Sequence, residues 1–374
     1  MSIKGTAVLR ERNQKKVLEY LRKNKLCSRL EISKGLNVSK NTVSLIIDQF
    51  IKQGIVVERG SKENKGAGRP SVALSIVPGS YHSVGIYVQS DKIEIMVIDY
   101  SITIIEHNEV FIDQESSLIE TVIDYCVKTV NRYKNVIGIG IGIPGLVNPK
   151  KGIVHHSTNL NWKDVSLKEM IEQKVDVNVS VFNSVKVAAL PAIEDNDEDL
   201  HSIFYIRISE GIGGAFIINN KIYLGASRTA GEIGHISVEA DGPKCKCGQN
   251  GCLERLISLK AFKEAVLANG SLATNSDIGE LLQNGSSEHV KKLLKNYGSY
   301  LGKAISQVIH LMNPQLVIVD SPYNRVPEFK ATTMEGTEQN SLDLPLQQTT
   351  INFVNEVYSP AKGAAISIIL NFES

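Results

Sequence analysis

The chain has 374 residues, 42% hydrophobic and 22% charged, which is enough for two or three domains with apolar cores. No apolar run approaches the roughly 20 residues of a membrane span, and the start Met-Ser-Ile-Lys-Gly lacks the apolar stretch of an export signal, so the expectation is a cytoplasmic protein with no membrane partner. The net charge of +1 hides a division: residues 1–76 hold 16 Lys and Arg against 6 Asp and Glu, or +10, leaving 25 against 34, or −9, for the rest.

A basic head on an acidic body points to a polyanion partner for the head, the plain alternative being a solvated basic face. Val17, Leu18 and Leu21 suit a first helix, and Ser28 with Glu31 forms a Ser-x-x-Glu capping box for a second that runs toward Gly35. Asn37-Val38 makes a tight turn. Ser39 can then cap a third helix whose inward face is Val43, Ile46, Ile47 and Phe50 and which ends near Gly54. This is the layout of a helix-turn-helix. Its exposed start, Ser39, Lys40, Asn41, Thr42 and Ser44, carries short polar or cationic side chains able to reach phosphates and base edges in a major groove. Ile55–Arg59 and Ser71–Ile76 read as two wing strands joined by a Gly-, Lys- and Ser-rich loop, where Arg69 would touch the phosphate backbone or the minor groove. A generic three-helix bundle explains neither the cationic balance nor the wing. The expected partner of residues 1–78 is double-stranded operator DNA.

From about residue 80, apolar runs of strand length alternate with helical stretches, the layout of an α/β sheet. Ser83–Val88, Lys92–Ile98 and a run near Ile102 read as a meander, followed by a helix over 116–134 and a buried strand at Ile137–Ile143. A second set begins with Ser202–Ile208 and Gly214–Ile218 and closes with a helix over Tyr297–Met312 and a strand at Gln315–Asp320. The polar stretch Glu194–Asp199 reads as a surface loop.

Four soft or borderline ligands, His235, Cys245, Cys247 and Cys252, stand within eighteen residues, with Gly248 and Gly251 letting the chain double back. They suit a closed tetrahedral Zn²⁺ site of the Cys₃His type, and closed coordination implies a structural metal. The alternatives are buried free thiols or a disulfide; the remaining cysteines, Cys27 and Cys126, are isolated in sequence. Glu232 lies three residues before His235 and Glu254 two after Cys252. Folding around a metal would bring two carboxylates and an imidazole together where they can grip sugar hydroxyls; the bland reading leaves two solvated carboxylates.

The run Gly234-His235, six residues, Gly242, two residues, then Cys-x-Cys-Gly-x-x-Gly-Cys-x-Glu254 resembles the signature of the ROK family of repressors, open reading frames and sugar kinases. Gly138–Gly145, Asn159–Trp162, Glu210–Gly214 and Ala361–Ala365 match it in order, so the resemblance runs from about residue 80 to the C-terminus. It implies an α/β actin-like ATPase fold of two similar halves, spanning 79–374 behind an all-α/winged helix-turn-helix DNA-binding domain.

A kinase of this family opens its first half with an Asp-x-Gly-Gly-Thr loop, because backbone amides and a hydroxyl must cradle phosphates and an acid must sit near Mg²⁺. Here the matching stretch is Tyr87-Val-Gln-Ser-Asp91. The family's catalytic base is the Asp of Glu-Asn-Asp-Ala-Asn; this chain has Phe182-Asn183-Ser184-Val185-Lys186, and a serine cannot serve as that base near neutral pH. Only the glycine loop Ser209–Gly214 survives in part. The chain therefore resembles the xylose repressors of the family: no enzyme, but a repressor binding its operator as a homodimer, with a tetramer as the alternative, and sensing a sugar or sugar derivative in the cleft of its actin-like body. The resemblance places effector contacts at Asn159, Asn183, Glu232, His235 and Glu254, with Ser184 and Lys186 in the pocket-lining segment. His235 would put one ring nitrogen on zinc and the other toward a sugar hydroxyl. Exchanging a carboxylate for Ser184 and adding Lys186 favours an anionic effector, unless Lys186 faces solvent or pairs with a carboxylate. The rivals are an active kinase carrying a DNA-binding head, and a regulator that has lost sugar sensing.

Overall fold

The computed structural model describes residues 2–62, 71–113, 117–194, 200–268, 282, 287–355 and 358–373. Arg69 and the polar stretch 195–199 lie outside the described residues. The chain forms two compact units, one of residues 1–187 with 360–374 and one of 188–359.

The first unit begins with three helices, α1 (Ser2–Asn24), α2 (Arg29–Leu36) and α3 (Lys40–Lys52), and a hairpin of β1 (Val56–Lys62) with β2 (Ser71–Ile76). Helix α1 starts well before the apolar positions that predict it, because those three residues supply only its inner face; Val17, Leu18 and Leu21 are buried with Ile32, Val43, Ile46, Ile47 and Phe50. The capping box forms as expected: the Ser28 side chain accepts the Glu31 N–H, and the Glu31 carboxylate accepts the Ser28 N–H. Asn37 turns the chain between α2 and α3 in the left-handed region, with φ 51°, a conformation that Asn tolerates better than most residues. Cys27 and Leu74 exchange backbone hydrogen bonds, tying the helix-turn-helix to its wing.

The rest of this unit is a five-stranded sheet in the order β10-β6-β3-β4-β5, formed by β3 (His82–Val88), β4 (Lys92–Asp99), β5 (Ile104–Phe111), β6 (Val136–Ile143) and β10 (Val179–Asn183). Strands β3, β4 and β5 run antiparallel, while β6 and β10 lie parallel to β3. The third meander strand starts at Ile104, later than the apolar pattern suggests: Ile102 has φ 65° in a turn where the Asp99 carboxylate accepts the N–H groups of Ser101 and Thr103. Helix α4 (Leu118–Arg132) follows β5, as expected. A small sheet of β7 (Leu146–Asn148), β8 (Ile153–Ser157) and β9 (Trp162–Val165), then α5 (Leu167–Glu172), complete the region before β10.

Helix α13 (Pro360–Glu373) returns to this sheet. Gly85 and Gly140 are paired in neighbouring strands, and a Cβ at either would collide with the backbone of Ala361 or Ala364. The two glycines and the alanines of α13 thus let helix and sheet touch through their backbones. The end of α13 also reaches the head. Arg22 of α1 donates from Nε and Nη2 to the two oxygens of Glu373, at 2.8 and 3.0 Å, and Tyr100 Oη donates to the same carboxylate at 2.8 Å. Side-chain exposures of 3% and 5% make this a desolvated ion pair, and Tyr81, Tyr100 and Phe372 pack their rings beside it.

The second unit repeats the topology. Its sheet has the order β13-β12-β11-β14-β15, with β11 (Ser202–Ile208), β12 (Ile212–Ile218) and β13 (Lys221–Tyr223) antiparallel and β14 (Leu316–Asp320) and β15 (Thr350–Val354) parallel to β11. Helices α8 (Leu253–Ile257), α9 (Leu259–Ala268), α10 (Glu288–Met312), α11 (Pro327–Asn340) and α12 (Asp343–Gln347) belong to this unit. Helix α10 begins nine residues before the predicted Tyr297, where Ser287 caps it by accepting the Val290 N–H. Its buried face, including Leu294, Leu301, Ile305 and Ile309, shares a core with Phe262, Tyr323 and Phe329.

Candidate functional site

The cysteine loop hangs between the short helical turn Ile233–His235 and the start of α8, where Cys252 stands immediately before Leu253. Backbone bonds close it at several points: Val238 N–H to Gly251 O, Leu253 N–H to Ile236 O, Gly251 N–H to Pro243 O and Cys245 N–H to Gln249 O. Gly251 has φ 62° and lies so close to Glu239 O that any Cβ would overlap it. This folding brings one donor atom from each of His235, Cys245, Cys247 and Cys252 within 4.8 Å of the others. The Cys247 and Cys252 Sγ atoms are 3.5 Å apart, and His235 Nδ1 is 3.7 Å from Cys245 Sγ. A single imidazole with three thiols at these separations fits one tetrahedral soft-metal ion. Nδ1 is the ring nitrogen on the thiol side, which leaves Nε2 as the second donor of the ring.

Without a cation, Cys247 and Cys252 are shifted in opposite directions. A backbone hydrogen bond from Gln249 lowers the exposed Cys247 thiol to about 7, whereas burial raises Cys252 to about 12. A bound cation removes that penalty by stabilising all three thiolates.

The carboxylates flanking the loop differ in their surroundings. Glu254 Oε2 accepts the Ile212 N–H at 2.9 Å and lies against Gly211. It therefore braces the surviving glycine turn Ser209–Gly214, a structural duty that the sequence did not reveal. Glu232 is exposed at the turn leading into His235.

The other predicted effector residues belong to the first unit. Asn159 is exposed in the turn between β8 and β9. Asn183 ends β10; its Oδ1 accepts the N–H groups of Val185 and Lys186, and its Nδ2 donates to Gly145 O at 2.9 Å. It thus caps the short helix α6 (Ser184–Ala188) and ties it to the glycine-rich end of β6. Ser184 and Lys186 are 3% and 7% exposed, which removes the option that Lys186 points to solvent. Tyr87–Asp91 forms the tight turn from β3 to β4, where Gln89 N–H donates to Lys92 O.

On the head, Ser39 accepts the Thr42 N–H and opens α3. Lys40 and Asn41 are exposed, and Thr42 and Ser44 half-buried. One further outward residue, absent from the candidates above, is Leu45, 70% exposed. A leucine at the one apolar position of an otherwise polar helix face was the available signal.

The chain matches the ROK family over residues 83–367 and winged helix-turn-helix DNA-binding domains over 10–57. It is 32% identical over 330 residues to the xylose repressor of Bacillus subtilis (strain 168), covering 85% of this chain and 84% of that protein. A ROK family transcriptional regulator, a homolog of the E. coli MLC protein, superimposes with a TM-score of 0.82 over 98% of both chains at 20% identity. The ROK hexokinase of Thermus thermophilus gives 0.63 at 21% identity over 78% of this chain and 98% of its own, which shows the shared fold. The chain belongs to the ROK family, as a transcriptional regulator that carries a winged helix-turn-helix ahead of the ROK domain.

Proposed function

We propose that this regulator is a cytoplasmic repressor of sugar-utilisation genes that binds operator DNA as a homodimer, responds to a sugar or sugar derivative, and phosphorylates nothing. Residues 1–78 form its DNA-binding head and 79–374 its sensing domain. The observation that carries the reading is Ser184: the position of the family's catalytic base holds a buried hydroxyl, in a chain whose first phosphate loop is the turn Tyr87–Asp91. General-base catalysis contributes typically 10²- to 10⁴-fold, and a serine cannot supply it near neutral pH. The resemblance to xylose repressors supports a sugar effector.

Zinc is the metal proposed for His235, Cys245, Cys247 and Cys252; it supplies a rigid, closed brace and no reacting position. With Nδ1 on the metal side, His235 Nε2 is the nitrogen that meets a sugar hydroxyl, beside Glu232 and Glu254. In the first unit, Asn159, Asn183, Ser184 and Lys186 are the proposed effector contacts. Lys186 is buried at a position that the kinases keep neutral; the added charge favours an anionic effector such as a sugar phosphate or sugar acid, the alternative being that Lys186 pairs with a carboxylate of the chain itself. Head contacts are Ser39, Lys40, Asn41, Thr42, Ser44 and Arg69.

A thermal-shift screen of paired neutral and phosphorylated sugars tests the sensing role, since a ligand adds about RT ln(1 + [L]/Kd) to stability. A shift with a sugar phosphate that disappears in Lys186→Asn supports the anionic reading. Micromolar binding of free xylose, unaffected by Lys186→Asn, ends it. Steady ATP-dependent phosphorylation of any hit overturns the non-enzymatic reading.

A further inference from the structure

The outward stripe of α3 consists of Asn41, Leu45, Asp48 and Lys52, spaced four, three and four residues apart and all exposed. It lies opposite the buried Val43, Ile46, Ile47 and Phe50. Three of its members are polar. Leu45 has 70% of its surface in water and is the most exposed large apolar side chain among the described residues of the head.

The residues around Leu45 are already engaged. Asp48 accepts from Arg29 Nη2 at 2.9 Å. On the flank, Gln49 Oε1 accepts from Arg10 and Gln14 of α1 at 2.8 and 2.9 Å. These contacts fix the rotation of α3 about its axis, so the face presented outward is Asn41 and Leu45, one turn apart near the capped end of the helix. A helix entering the major groove reads bases with its N-terminal residues. The apolar group that a base edge offers there is the 5-methyl of thymine; the remaining features are hydrogen-bond donors and acceptors.

We propose that Leu45 is a specificity-determining residue that receives the 5-methyl group of a thymine, beside the base or phosphate contacts of Asn41. The proposal rests on the reading that α3 enters the major groove. Burying one methyl against a leucine corresponds to about a four-fold change in Kd, and cytosine, which lacks the methyl, loses that contact.

The test uses the full chain. A duplex is first selected from a randomised pool with the wild-type protein, then each thymine is replaced in turn by deoxyuridine, which removes only the methyl. The expected result is one base pair per half-site at which deoxyuridine weakens wild-type binding about four-fold. Leu45→Ala should bind the unmodified duplex about four-fold or more weakly and show no further loss with deoxyuridine at that pair, whereas Leu45→Met keeps the sensitivity. An identical deoxyuridine profile for wild type and Leu45→Ala overturns the proposal, as does insensitivity of the wild type at every thymine. Leu45→Ala that binds DNA normally but changes the oligomeric state also overturns it, assigning the side chain to a contact between copies of the chain. Failure to select any preferred duplex, or selected binding unaffected by Lys40→Ala and Asn41→Ala, instead counts against α3 as the reading helix, so the two failures are distinct.

Discussion

At the scale of single residues, the metal loop and the Arg22–Glu373 pair carry the sharpest consequences. Cys252→Ser removes a buried donor, so protein purified without chelator should fall from one zinc per chain to none by elemental analysis and melt at lower temperature. Stoichiometric zinc retained in both Cys252→Ser and Cys247→Ser would show that these sulfurs are not ligands. Glu373→Gln removes the carboxylate charge that faces the Arg22 guanidinium in a dry site, and breaking a buried pair on one side costs about 3–5 kcal/mol. Chemical denaturation should show that loss, and an unchanged midpoint would mean that water or another group compensates. The two cases also differ in how far sequence reaches. The cluster of His235 and the three cysteines is legible because eighteen residues hold all four candidate ligands. Glu373 is not, because nothing in its local sequence points to a partner 351 residues away. Asn183 lies between: its place in the ROK pattern is visible, but its duty as the cap of α6 emerges only from the hydrogen bonds it makes to Val185 and Lys186.

At the scale of elements, the features written locally were read correctly. The capping box at Ser28 and Glu31 placed the start of α2, and the apolar spacing of Val43, Ile46, Ile47 and Phe50 placed α3. Ser28→Ala should cost about 1 kcal/mol, the usual worth of an N-cap, visible as a lowered melting temperature of the full chain. Boundaries set by turns were less legible. Ile102 looks like strand by composition, yet the two bonds that Asp99 accepts pull it into a left-handed turn and delay β5 to Ile104. Helix packing was hidden too. Gly85 reads as an ordinary glycine in an apolar strand and Gly140 only as part of the ROK-like Gly138–Gly145 run, while both admit the backbone of α13. Gly140→Ala should therefore force helix and sheet apart, with the overpacking cost of about 1–3 kcal/mol or more. A destabilisation below a few tenths of a kcal/mol would show that α13 can shift at little cost.

For the whole molecule, the division of charge was visible in the sequence, and the comparisons support its meaning: the +10 end is the winged helix-turn-helix. Binding to a selected duplex should fall steeply between 50 and 200 mM salt, because each neutralised phosphate releases counterions. Arg69→Ala should lower affinity for all sequences alike, while Asn41→Ala should cost roughly 1–3 kcal/mol on the preferred duplex alone if its side chain reads a base. The division into compact units was less legible. The expected boundary near residue 78 separates head from body, yet the first unit holds the head, the first sheet and the returning helix α13 together, with the second unit inserted between residues 187 and 360. That arrangement imposes an order of events during synthesis. The head has its own buried residues, Val17 and Phe50 among them, but Glu373, which binds its Arg22, is made only after the whole second unit. At about 5–20 residues per second, on the order of tens of seconds pass between synthesis of Arg22 and synthesis of the Glu373 carboxylate that it holds in the finished chain.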